Sequence, residues 1–187
     1  MSSDVALMLK RAFEHHQHSE WSAARALYEE ILQTEPMHFD ALQLLGTIEA
    51  QSGSKQRALE LFTQALKINQ TNPMVYMNQG FVMNDLGLFE TAVSSFDEVI
   101  KRSPESSDAY FGRGNALKEL GLFELALSSY QQATRINPLY AQAYLNTGVL
   151  QKEMNQLPDA LVSYEKAIEA RADYPEAHCN KGVVLHA

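Results

Sequence analysis

The stretch LGLFETAVSSF at residues 86–96 returns almost letter for letter as LGLFELALSSY at residues 120–130. The offset is 34 positions, and the whole chain keeps it. Gly46, Gly80, Gly114, Gly148 and Gly182 stand 34 apart, and so do Ala24, Ala58, Ala92, Ala126 and Ala160. Four residues beyond each of these alanines comes a large ring, namely Tyr28, Phe62, Phe96, Tyr130 and Tyr164, and three further on Ile31, Ala65, Val99, Ala133 and Ala167. Pro36, Pro104 and Pro138 close three of the units, with Gln70 and Ala172 in the same place in the other two. A fixed period of this size marks an array of supersecondary units, each too small to bury its own apolar face.

Within a unit the apolar spacing is helical. In ALSSYQQATRI, Ala126, Leu127, Tyr130, Ala133 and Thr134 follow i, i+1, i+4, i+7, i+8. Each unit reads as two amphipathic helices, broken at Gly53, Gly87 and Gly121, which fit a left-handed residue just past a helix end, with Asn155 as substitute. Asn72-Pro73 and Tyr174-Pro175 put proline in the first turn of the next helix, where its missing N–H costs nothing. The units run 5–38, 39–72, 73–106, 107–140 and 141–174, with a partial unit at 175–187. The expected fold is all-α, a single right-handed superhelical solenoid of antiparallel helix pairs over 1–187, about five and a half repeats. The first unit fits least well, with Ala12 at the glycine position and Trp21 where later units have Phe89 and Phe123. A glycine inside a helix costs about 1 kcal/mol relative to alanine. Its return at one phase calls for a packing reason, and close approach of the two helices around the ring supplies one.

The 187 residues are 45% hydrophobic, enough for a substantial core, and the formal net charge is −8. Such a field does not attract phosphate backbones or anionic lipid, so neither nucleic acid nor membrane is an expected partner. Cys179 is the one cysteine, which excludes an internal disulfide. With no signal-like segment at MSSDVALMLKR and no long apolar run, a cytoplasmic setting is the simplest expectation. GVVLHA at 182–187 falls inside the first helix of a sixth unit, and solenoids need polar caps. That reads as a fragment of a longer protein, with a homodimer through the uncapped C-terminal helix as the second reading.

Catalytic patterns are scarce. GRGN at 112–115 lacks the third glycine of a dinucleotide loop, and the sequence holds no phosphate loop or HExxH. Cys179 has no nucleophile signature around it, and NQT at 69–71 fits a glycosylation acceptor no better than chance. HHQH at 15–18 places His15 and His18 on one helix face but brings no third ligand, so it reads as a solvated helix end. No catalytic residue, metal or cofactor is expected.

Units of 34 residues with Gly, Ala, Phe or Tyr and Pro at these offsets resemble tetratricopeptide repeats. The resemblance implies that the first helix of each unit lines a concave face on which a peptide or partner protein is held, by residues at positions 2, 5, 6, 9, 12 and 13. Those positions carry Asn78, Asn115, Asn146 and Asn180 together with Met77, Phe81, Phe111, Leu145 and Val149. An asparagine amide can both donate to and accept from a peptide backbone, and the apolar residues would anchor side chains. Asn115 and Asn146 match asparagines with which some family members grip a terminal carboxylate, but Phe111, Glu176 and Asn180 stand where those members carry cations, which excludes that ligand. Residues 143–168 and AHCNKG at 177–182 resemble the arm of O-linked N-acetylglucosamine transferases and their bacterial relatives, which implies a substrate-holding role and, as an alternative, the arm of a larger glycosyltransferase. RNA-binding repeats need a basic inner face, whereas this one mixes Asp85, Asp108, Glu119, Glu153 and Glu176 with Lys118 and Lys152. The expected function is therefore a non-catalytic protein-interaction module.

Overall fold

The 34-residue period resolves into helix pairs. The computed structural model describes residues 3–186; Met1, Ser2 and Ala187, which the expected span includes, lie outside the described residues. Among the described residues there are eleven helices and no strand: α1 (Ser3–Gln17), α2 (Trp21–Thr34), α3 (Phe39–Gln51), α4 (Lys55–Ile68), α5 (Pro73–Asp85), α6 (Phe89–Arg102), α7 (Ser107–Glu119), α8 (Phe123–Ile136), α9 (Ala141–Glu153), α10 (Leu157–Ala170) and α11 (Pro175–Leu185). From α3 onward each first helix starts on the first residue of a unit read from the sequence. The chain forms two compact bodies, Met1–Leu88 with α1 to α5 and Phe89–Ala187 with α6 to α11, divided between the two helices of the third unit.

The turn inside each unit is one construction repeated. Gly53, Gly87 and Gly121 have φ of 87°, 74° and 73°, and Asn155 takes the same left-handed conformation at 61°. Ser19 adopts it too, at 61°, in the first unit, where no glycine or asparagine signals it. The next residue's N–H reaches back to the carbonyl five residues earlier in all five turns, as in Leu122 to Leu117 at 2.9 Å and Glu20 to His15 at 2.9 Å. This bond closes orphan carbonyls at the helix end. The turn between units is built in two ways. His38, Asn72 and Ser106 accept backbone N–H groups of the helix that follows, Asn72 Oδ1 from both Met74 and Val75, whereas Tyr140 and Tyr174 cap nothing with their side chains.

In the core, the repeated alanines and rings are fully buried: Ala58 and Phe62 in the first body, Ala126, Tyr130, Ala160 and Tyr164 in the second. Three of these rings press against a glycine of the first helix. A Cβ added at Gly46 would sit 2.7 Å from Phe62 Cε1, at Gly114 2.5 Å from Tyr130 Cε1, and at Gly148 2.6 Å from Tyr164 Cε1. Gly112 makes a second such contact, 2.4 Å from Phe96 Cζ, at the position where α5, α9 and α11 carry asparagine. Gly182 on α11 would meet nothing within 4 Å. Two glycines at one repeat phase therefore respond oppositely to a methyl group. Gly114→Ala gains helix propensity of about 1 kcal/mol but drives a methyl into a buried ring, and overpacking of this kind costs roughly 1–3 kcal/mol. Net destabilisation is expected in urea unfolding, whereas Gly182→Ala should raise stability by up to about 1 kcal/mol; equal responses would show that the ring contact is not what demands glycine.

Candidate functional site

With rings and alanines turned inward, the residues left over on the first helices form a face of their own in each body. In the first body, Asn78 on α5 is half-buried and its Nδ2 donates to Thr47 Oγ1 on α3 at 3.2 Å. Phe81 lines a shallow groove of about 230 Å³ with Thr47, Ala50, Asn78 and Asp85, and Lys55 closes on Asp85 at 2.8 Å. Met77 is half-buried on the same helix.

The second body carries a longer polar chain. Asn146 Nδ2 on α9 donates to Asn115 Oδ1 on α7 at 2.9 Å, repeating the bond from Asn78 to Thr47 one body away. The Tyr130 hydroxyl donates to the same Asn115 oxygen at 2.8 Å. Gln142 Nε2 donates to Asn146 Oδ1 at 3.1 Å, and the Tyr174 hydroxyl to Gln142 Oε1. Five side chains from Tyr174 to Tyr130 are thus joined by hydrogen bonds. Asn115 spends its oxygen twice and, among the described residues, keeps its two amide N–H groups.

The apolar residues divide. Phe111 is half-buried, its ring centroid 5.0 Å from Tyr140 and 6.0 Å from Tyr130. Val149 is half-buried against the core. Leu145 is only 6% exposed and packs in that core with Ala160 and Tyr164, so little of its surface is left for a ligand. Asn180 is half-buried and Cys179 exposed, both beside a shallow depression at the start of α11.

Sequence reasoning missed the tyrosines. Tyr140 donates from its hydroxyl to Asp108 Oδ1 at 2.8 Å, the counterpart of Tyr174 to Gln142. The signal was present at position 34, which changes from capping residues (His38, Asn72, Ser106) to tyrosine in the last two units. Burial raises the Tyr130 phenol, and the neighbouring Glu119 and Glu153 add to it; burial followed by the Asp108 bond raises Tyr140. Tyr28 and Tyr164 are both pushed up to about 12, mainly by burial. The Tyr164 hydroxyl is buried and makes no hydrogen bond among the described residues, because Val149 stands where Asn115 serves Tyr130.

The histidines at 15–18 are spent locally. His15 pairs with Glu20, His18 Nδ1 lies 2.8 Å from the Glu14 carbonyl, and His16 sits edge-on to Trp21 at 5.2 Å, its pKa lowered by burial. Among the described residues no group of three side chains gathers that could hold a metal ion, and no helix is long and apolar enough to cross a membrane.

Family models described as TPR repeat match residues 114–155 and 152–187, and one described as tetratricopeptide repeat matches residues 9–73. The chain belongs to the tetratricopeptide repeat family. Its fold is shared with solved members. MamA from Desulfovibrio magneticus RS-1, residue 41 to its end, superimposes with a TM-score of 0.87 over 92% of this chain and 97% of that one, at 19% identity. A second MamA crystal structure gives 0.84 over 92% and 94%, at 19% identity. YrrB, described as a TPR protein with an unusual peptide-binding site, gives 0.83 over 94% of this chain and 90% of that one, at 23% identity. At such identities the likeness carries the fold alone, and the binding face has to be argued from this chain's own repeats.

Those repeats make a prediction about the two buried hydroxyls. Tyr164→Phe removes an unpartnered group whose burial costs roughly 1–3 kcal/mol, so stability should hold or rise; Tyr130→Phe deletes a made bond and should lower stability by about 1 kcal/mol. Chemical unfolding of both variants measures this, and a larger loss for Tyr164→Phe would contradict the assignment.

Proposed function

We propose that this repeat protein is a non-catalytic interaction scaffold that takes an extended peptide across the first-helix face of α7, α9 and α11. The observation that carries this reading is the amide of Asn115. Its oxygen is held by Tyr130 and Asn146, so its orientation is fixed, and both N–H groups remain to meet carbonyls of a ligand backbone. Phe111 beside it supplies apolar surface, and Asn180 offers a second amide on α11. Preorganised donors of this kind bind a peptide without first having to be ordered. YrrB's described peptide-binding site, on the same fold, supports the same class of ligand.

The transferase-arm alternative is not favoured. It drew on first-helix asparagines, and Asn78 and Asn146 each spend an N–H on a neighbouring helix of this chain. A second copy as partner has one observation behind it: α11 presents Val183 and Leu185 at 53% and 61% exposure on a helix whose Gly182 faces open space. A cytoplasmic setting and the lack of an enzymatic role belong to the same reading.

The test is a peptide selected on the purified protein from a random displayed library and measured against Asn115→Asp. That variant keeps the oxygen that Tyr130 and Asn146 use and removes both free N–H groups. Affinity should fall by about tenfold or more, since a lost hydrogen bond at a buried contact is worth about 1–2 kcal/mol, with Tm within a few degrees of the parent. Leu125→Ala, at an exposed site on α8, should bind as the parent does. If Leu125→Ala loses the peptide and Asn115→Asp retains it, the first-helix face is not the binding surface.

A further inference from the structure

Position 34 is tyrosine in two successive units of the second body, and the two rings are dressed differently. Over Tyr174 lies the guanidinium of Arg171, its carbon 3.4 Å from the ring centroid, and Tyr174 is left 2% exposed. Arg171 is the residue that ends α10, with φ −148° and ψ 100°. The residue that ends α8 in the same way, with φ −121° and ψ 93°, is Asn137. Asn137 brings no charge, and its side-chain oxygen accepts the Leu139 backbone N–H at 3.1 Å. Tyr140 is accordingly half-exposed.

What surrounds Tyr140 suits a cation. The Phe111 ring lies 5.0 Å away at a tilt of 32°. The exposed carboxylate of Asp108 accepts the Tyr140 hydroxyl at 2.8 Å, and among the described residues it forms no ion pair with a basic side chain. Two aromatic rings attract a cation through their negative faces, and a carboxylate adds charge-assisted hydrogen bonds. A planar guanidinium exploits both at once better than an ammonium does. The chain's net charge of −8 would also draw a basic ligand in.

We propose that Phe111, Tyr140 and Asp108 form a receptor for an arginine side chain of the bound peptide, which takes on Tyr140 the place that Arg171 occupies on Tyr174. This rests on the peptide-binding reading of the first-helix face and adds the chemistry of one ligand residue.

The probe is N-acetyl-arginine methylamide, with the citrulline counterpart as a neutral match in shape, followed by NMR of the Phe111 and Tyr140 ring protons. Saturable shifts are expected on these two rings with arginine, and citrulline should bind about tenfold or more weakly, the discrimination that a cation on aromatic faces beside a carboxylate gives. Asn137→Arg supplies the missing guanidinium from within and should abolish the response; Asp108→Asn should weaken it about three- to tenfold. Equal shifts with arginine and citrulline, no saturable shift on these rings, or a response untouched in Asn137→Arg would each overturn the proposal. A selected peptide that depends on Asn115 but lacks a basic residue and leaves both rings unshifted would sink this receptor while leaving the peptide-binding reading standing.

Discussion

In three of the helix pairs a buried ring packs directly against a glycine of the first helix. Phe62 on Gly46, Tyr130 on Gly114 and Tyr164 on Gly148 bring the second helix so close to the first that a single methyl group would fall inside contact distance. An aromatic ring contributes the largest buried area available to a helix, and the alanine one turn before it, fully buried at every repeat, lets the backbones close around it. Because this contact uses fixed positions, some of the others on the first helix, Asn78, Asn115 and Asn146 among them, are left only half-buried. The scaffold and the proposed binding face are written in different letters of the same repeat.

The released positions are not idle in the second body. The hydrogen-bonded series from Tyr174 through Gln142, Asn146 and Asn115 to Tyr130 ties three first-helix segments together with side chains 31 or 32 residues apart. Polar groups satisfied in this way lose their freedom to rotate, so the donors that remain point in set directions. In the first body the bond from Asn78 to Thr47 stands at the same place, beside a groove lined by Phe62 and Phe81. The longer hydrogen-bonded series belongs to α7, α9 and the start of α11, the helices on which the proposed ligand face is drawn.

The fold was legible because its determinants are local and repeated. Periodicity fixed the helix starts at 39, 73, 107, 141 and 175, and Gly53, Gly87, Gly121 and Asn155 marked the left-handed turns. Ser19 takes that conformation without the usual residue, held by its neighbours, and could not have been read. The site was only half legible. Phase alone put Leu145 on the exposed face, yet it packs in the core with Ala160 and Tyr164, a difference that a count of positions does not resolve. The partners of the asparagines could not be read, since a pairing 31 residues away depends on how adjacent units stack. Tyr140 and Tyr174 were passed over because a ring at a helix start reads as filler until its hydroxyl is seen to reach back to position 2 of its own unit.

The central claim is that ligand contact falls on the first helices and structural contact on the second. A two-dimensional ¹H–¹⁵N spectrum of the labelled protein, recorded with and without a selected peptide, separates the two directly. The account predicts that the largest shifts lie on α7, α9 and α11 and include the side-chain amide of Asn115. Shifts concentrated on α8 and α10, with that amide unmoved, would contradict it.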